Sequence, residues 1–314
     1  MRSVLVRLKP LLRWVILGAV LFFLAKVLHN HWESVAAIRI DAAGWACLAI
    51  ALGITLLAHT SAGWVWSRML RQDFQQSVQG GWLTQAYLQT NLAKYLPGNI
   101  WHYYGRIAAA TKAGATLEAA TVSVLLEPLL MAAAALLIAL LSGQAIAARY
   151  GLVAVGLQWI VLGATLLAIH PIMLNPLLQR LAKVKQKATE LSQSVLPSEL
   201  NHYPFQALIG NLVFLLLRGA GFLLTFLAIQ SFDLVQVPVL LSAFSLAWLL
   251  GLVVPGAPGG LGIFEATAIA LLGHLFSPGG LLGVVAVYRL VSVVSEALGA
   301  GLAWLDQYLT KLQR

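Results

Sequence analysis

Eight long, predominantly apolar stretches limit what this chain can fold into: 11–28, 44–66, 119–141, 151–170, 205–230, 238–254, 264–276 and 281–304. A helix needs about 20 mostly apolar residues to cross the hydrocarbon core of a bilayer. Most of these stretches reach that length; the seventh is short enough to be read as a half-helix. Hydrophobic residues make up 60% of the chain and charged residues 10%, against roughly 25% charged in a soluble domain. A chain so poor in charge cannot cover its surface with polar groups and belongs in lipid. The expected fold class is therefore all-α: a polytopic transmembrane helical bundle in one integral membrane domain, 1–314. The single cysteine, Cys47, gives no intramolecular disulfide and no Cys-based zinc site. Arg2, Arg7, Lys9 and Arg13 precede the first apolar run, but no small-x-small cleavage site follows it. That start is read as a first span rather than a cleaved signal.

Basic residues give the sidedness. With a cytoplasmic N-terminus, 15 of the 20 Lys and Arg residues fall on the cytoplasmic side. The expected location is a cell inner (plasma) membrane, with both termini cytoplasmic. The net charge of +9 is then a topology signal. It is spread over separate segments and accompanied by no nucleic-acid motif, so no nucleic-acid partner is expected.

Two cytoplasmic loops are long. Residues 176–192 place Leu177, Leu178, Leu181, Val184, Ala188 and Leu191 roughly on one helical face. Basic residues lie largely elsewhere, as in a helix resting on an anionic leaflet. Residues 82–106 are apolar and aromatic but broken at Pro97-Gly98, which predicts a re-entrant or interfacial pair of helices. Irregular backbone at membrane depth survives only where protein or a wet cavity satisfies it.

That break has a counterpart. LAKYLPGNIWHYYGR carries Lys94, Pro97, Gly98 and then Arg106; VVPGAPGGLGIFEA carries Pro255, Gly256, Pro258, Gly259, Gly260, Gly262 and then Glu265. Paired Gly/Pro interruptions in two halves of a chain point to a transporter's binding site. Broken helices offer free N–H groups and a positive dipole end to an anion. Within or beside the spans stand six charges: Arg106, Glu127, Arg218, Glu265, Arg289 and Glu296. Each charge at a span's centre costs about 2.5–3.5 kcal/mol on insertion scales, so mutual pairing inside the bundle is expected. These six are the candidate contacts for a charged lipid headgroup. The bland alternative is a set of fold-specifying ion pairs. Only the first requires some of these residues to face water or ligand, and a transporter, unlike a scaffold, requires Arg106, Glu265 and Arg289 to line one continuous cavity.

Other features carry less. His29, His31 and Glu33 form HNHWE without further ligands nearby and are read as an outer loop, so no metal is expected. His102 is read as an interface aromatic, and His59 and His274 as histidines satisfied by packing. No GxxxxGK[ST], GxSxG or HExxH occurs, so neither nucleotide use nor a hydrolase centre is indicated. The few aspartates, at 41, 73, 233 and 306, lie outside the expected spans, which argues against a metal-dependent membrane transferase. No enzyme activity and no cofactor are expected.

The KYLPGNIWHYYGR block, the VSVLLEP block, PGGLGIFEA and VYRLVS together resemble the lysylphosphatidylglycerol synthase transmembrane-region family over roughly residues 10–305. The resemblance implies a flippase-like inner-membrane protein whose partners are membrane lipids. By motif, Lys94, Pro97, Gly98 and Arg106 match the first block, Glu127 the third-span glutamate, Pro258, Gly259, Gly260, Gly262 and Glu265 the last block, and Arg289 its YR pair. One departure is Pro128, where the family often has arginine; it removes a buried cation and introduces a potential kink. No aminoacyltransferase domain follows residue 304, so this chain is not expected to make a lysyl-lipid. The expected function is to move or bind a charged-headgroup phospholipid or lipid-linked intermediate through an internal polar cavity. The alternative is a non-transporting scaffold for envelope-lipid or lipid-linked-sugar biosynthesis, with a membrane enzyme as partner.

Overall fold

The structure, a computed structural model, describes residues 39–96, 100–176, 202–254, 258–260 and 262–312, with isolated positions 22, 29, 32, 179 and 200. Within these residues every regular element is helical. Helix α1 runs Ala42–Gln72, α2 Gly80–Asn91, α3 Trp101–Lys112, α4 Leu117–Ala139 and α5 Gly143–Ile169. Helix α6 runs Phe205–Ile229, α7 Val237–Val253, α8 Ile263–Leu272 and α9 Pro278–Leu312. One 3-10 turn, Leu92–Tyr95, follows α2, and another, Pro258–Gly260, precedes α8.

Six stretches among the described residues are long and apolar enough to cross a membrane: Ala42–Gln72, Leu117–Ala139, Gly151–Ile169, Phe205–Ile229, Leu234–Val253 and Gly279–Leu312. They correspond to six of the eight stretches expected from sequence. The one at 11–28 and the amphipathic helix at 176–192 lie almost wholly outside the described residues. The stretch expected at 264–276 is a half-helix. Helix α8 has ten residues, about 15 Å at 1.5 Å per residue, half of a ~30 Å hydrocarbon core. Helices α2 and α3, twelve residues each, reach about 18 Å and flank the first break as the sequence predicts.

The surface is inside out relative to a soluble protein. On α5, Leu152 is 79% and Val153 84% exposed, and Trp45, Ile50 and Leu57 are exposed on α1. Contiguous apolar exposure on this scale is stable only against lipid. Helix α4, apolar on every side, is instead buried around most of its circumference, as such helices are when they form a bundle's core. It continues through Pro128, which has no N–H to give to the Val124 carbonyl one turn earlier.

Local chemistry sets the helix ends. The Gly44 N–H donates to Asp41 Oδ1 at 2.7 Å, and the Ala119 N–H to Thr116 Oγ1 at 3.2 Å, so α1 and α4 begin on side-chain caps. Helices α1 and α6 pack closely where Gly210 meets Val65; a Cβ on Gly210 would fall 2.4 Å from Val65 Cγ2. Backbone approach through small residues is the usual contact between helices in lipid. An aromatic cluster locks α8 to its neighbours. Phe222 and Phe244 stack with centroids 5.3 Å apart, Phe264 and Tyr288 at 6.1 Å, and Phe222 meets Tyr288 edge-on at 5.4 Å. One ring each from α6, α7, α8 and α9 thus fixes where the half-helix starts.

Candidate functional site

The first break begins where α2 tightens into Leu92–Tyr95 and Leu96 turns to extended backbone. Helix α3 starts again at Trp101 without a side-chain cap; Pro97 and Gly98 lie outside the described residues. The turn is tied to α9. Lys94 Nζ donates to Glu296 Oε1 at 2.6 Å and Tyr95 Oη to Glu296 Oε2 at 2.9 Å.

The second break lies between α7 and α8. Pro255 and Gly256 are outside the described residues, but the backbone at Pro258–Gly260 and Gly262 is defined. Gly260 and Gly262 have φ of +72° and +81°, a region that disfavours residues bearing a Cβ. Gly260 also packs backbone to backbone on α7: a Cβ there would lie 2.9 Å from Gly251 Cα. Arg289 of α9 holds this turn. Its guanidinium donates to the Gly259 carbonyl, to the Gly260 carbonyl at 2.8 Å and to Glu265 Oε1 at 3.2 Å. The other oxygen of Glu265 accepts from the Gly262 N–H at 2.6 Å. Glu265 is therefore the third residue of α8 reaching back to the residue before it, half of a capping box. The two broken turns, Leu92–Tyr95 and Pro258–Gly260, pack against each other.

Between them lie the remaining charges. Arg106 of α3 and Glu127 of α4 form an ion pair at 2.5 Å, both nearly inaccessible. Tyr87 Oη donates to the other Glu127 oxygen, Arg106 donates to Asn91 Oδ1 at 3.3 Å, and the guanidinium lies 3.7 Å from the Tyr87 ring centre. Arg218 of α6 is held more loosely. It is 2.9 Å from His59 Nε2, 3.4 Å from Ser292 Oγ and 3.7 Å from Glu296 Oε1. A guanidinium only donates, so His59 Nε2 accepts from Arg218 in the tautomer whose ring proton sits on Nδ1. The same nitrogen is 3.2 Å from Glu296 Oε1 and cannot serve both partners at once.

These residues surround one cavity of about 130 Å³. Lys94, Arg106, Glu127, Arg218, Arg289 and Glu296 line it, with Gly259 and Gly260 of the second break. Glu265 does not; its carboxylate is spent on Gly262 and Arg289, which corrects the expectation that the second break delivers it to the cavity. Arg106 and Arg289 do share one cavity, but the expectation that all three line it is not met. Four cations meet three carboxylates in this region, and the excess sits at Glu296, which Lys94 and Arg218 share.

Sequence reasoning missed several wall residues. His59 and His102, read as a packing and an interface residue, both line the cavity, as do Tyr87, Asn91, Tyr95 and Ser292. His274 is exposed beyond the end of α8 rather than packed. A signal for the others existed. Tyr87, Asn91 and Lys94 recur at i, i+4 and i+7, a polar stripe along one helical face of an apolar segment. His31 and Glu33 of the HNHWE motif lie outside the described residues. No group of three His, Cys, Asp or Glu side chains suited to a metal occurs among the described residues.

Fold and site together define a multi-pass membrane protein: a helical bundle whose two interrupted segments enclose a charged internal cavity. The chain belongs to the lysylphosphatidylglycerol synthase TM region family, which matches residues 11–299. No curated protein matches the chain.

Proposed function

We propose that this protein takes the charged headgroup of a membrane lipid into its internal cavity and passes it between leaflets, acting by binding rather than by covalent chemistry. One observation carries the reading. Six charged wall residues, Lys94 of the first break, Arg106 of α3, Glu127 of α4, Arg218 of α6 and Arg289 and Glu296 of α9, converge at one cavity bounded by both broken segments. Ion pairs that served only the fold would need no empty space between them. The volume is close to the ~150 Å³ of an engineered cavity that admits benzene. It has room for one headgroup-sized group and none for acyl chains, so the tails would stay outside among the exposed apolar side chains. Rocking of the half-bundles around the two breaks would open the cavity to each leaflet in turn. The distribution of basic residues supports a cytoplasmic N- and C-terminus in a cell inner membrane.

The test is leaflet exchange of fluorescent phospholipids in vesicles containing the purified protein. Exchange faster than in protein-free vesicles, and lost in the charge-neutral pair Arg106→Gln with Glu127→Gln, is the expected result. Exchange at the protein-free rate sinks the transport reading. A scaffold that binds lipid without moving it then takes its place. One observation favours that second reading: all three carboxylates are already engaged by protein donors.

A further inference from the structure

The cavity's hydrogen-bond ledger is one-sided. Every carboxylate oxygen around it has a donor. Glu127 takes Tyr87 and Arg106, Glu296 takes Lys94 and Tyr95, and Glu265 takes Arg289 and Gly262. Among the described residues, the buried side-chain atoms of the cavity wall left without a partner are Arg106 Nε, Arg218 Nε and His102 Nδ1, the last a donor in the tautomer that carries its proton there. All three side chains are more than nine-tenths buried. A guanidinium Nε can only donate, and a buried donor without an acceptor is costly. Lys94 adds two further N–H groups, since Glu296 takes only one of its three. Cations also outnumber carboxylates, with the surplus at Lys94 and Arg218.

Arg289 is no part of this set. Each of its three nitrogens already donates, to two glycine carbonyls and to Glu265. What the cavity lacks is an acceptor bearing negative charge, and each carboxylate oxygen around it already has a protein donor to share with any ammonium group.

We infer that the cavity receives an oxyanion, the phosphate of an anionic lipid, on Arg106, Arg218 and His102, and discriminates against lipids whose headgroup carries a net positive charge. This rests on the lipid-headgroup reading above and names its substrate class. It also sets this chain apart from any cargo defined by an amine.

Wild-type protein is equilibrated with mixed micelles holding equal amounts of phosphatidic acid, phosphatidylglycerol, phosphatidylcholine and a cationic diacyl lipid without phosphate. Retained lipids are counted by mass spectrometry. The two anionic lipids should exceed the cationic one by at least about tenfold, the effect of one charge-assisted hydrogen bond. The preference should fall by a similar factor in Arg218→Gln and in the paired Arg106→Gln, Glu127→Gln variant, which keeps the local charge balance.

Retention of the cationic lipid equal to or above the anionic ones overturns the inference. If that retention still depends on the paired variant, the headgroup reading survives. An anionic preference unchanged in both variants places selection on the outer surface and also overturns it. No lipid retained by the wild type overturns both. A companion measurement, thermal stability in sodium phosphate against sodium chloride at equal ionic strength, separates the sources. Phosphate stabilisation lost in the variants, with no lipid retained, leaves an oxyanion site and removes the lipid.

Discussion

The two broken segments are fastened to the same helix in opposite ways. The first offers side chains: Lys94 and Tyr95 reach across to Glu296. The second offers backbone: the carbonyls of Gly259 and Gly260 accept from Arg289, and its one acid, Glu265, caps its own helix. Arg289 and Glu296 stand seven residues apart on α9, about two turns and one face, so a single helix clamps both breaks. The consequence for chemistry is unequal. Around the first break, Lys94, Tyr95, His102 and Arg106 line the cavity, and two of them keep unpartnered nitrogens. The second contributes glycine backbone and the ring of Phe264 to the same wall. On the proposed function, the first break is the arm that would meet a ligand and the second the frame that holds the cavity's shape.

That division makes unequal predictions. Arg289→Ala should do the most damage, since it strands Glu265 and two glycine carbonyls. A buried pair broken from one side costs about 3–5 kcal/mol, read as a lower unfolding temperature in detergent. Gly260→Ala should follow. Its positive φ alone costs about 1–3 kcal/mol, and the new methyl would press on Gly251 Cα; the same thermal assay checks it. Tyr87→Phe removes one hydrogen bond to Glu127 and should cost about 1.5 kcal/mol, leaving Arg106 paired. Ser292→Ala loses a long contact to Arg218 and one to the Tyr288 hydroxyl, and its unfolding free energy should fall by under about 1 kcal/mol. A large effect from Ser292→Ala beside a small one from Arg289→Ala would reverse the division between arm and frame.

Much of the fold is legible in the sequence because crossing a bilayer is a one-dimensional constraint. Length and apolarity place Ala42–Gln72, Leu117–Ala139, Phe205–Ile229 and the long last helix without knowledge of their neighbours. Both breaks are legible too, since Pro and Gly act on the local backbone. The half-helix character of Ile263–Leu272 follows from its length alone. What the sequence leaves open is pairing. Lys94 and Glu296 meet across 202 positions and Arg218 and His59 across 159. No local pattern tells Arg289 to take Glu265 rather than leave it for a ligand. His59 and His102 look unremarkable in one dimension because their role comes from helices brought beside them. The polar stripe of Tyr87, Asn91 and Lys94 is the exception, visible once helical periodicity is applied to polar residues as well as apolar ones.

The decisive experiment compares two charge-neutral double variants, Arg106→Gln with Glu127→Gln and Arg289→Gln with Glu265→Gln, by phospholipid retained per folded protein. Neutralising both members of a buried pair avoids stranding a charge, so each variant reports the role of its break. If the first break is the ligand arm, retention falls in the first variant. It then stays at the wild-type level in the folded fraction of the second, whose loss shows in thermal stability. Equal loss of lipid in both, or loss only in the second, would contradict the division and make the glycine-rich break the place where the headgroup binds.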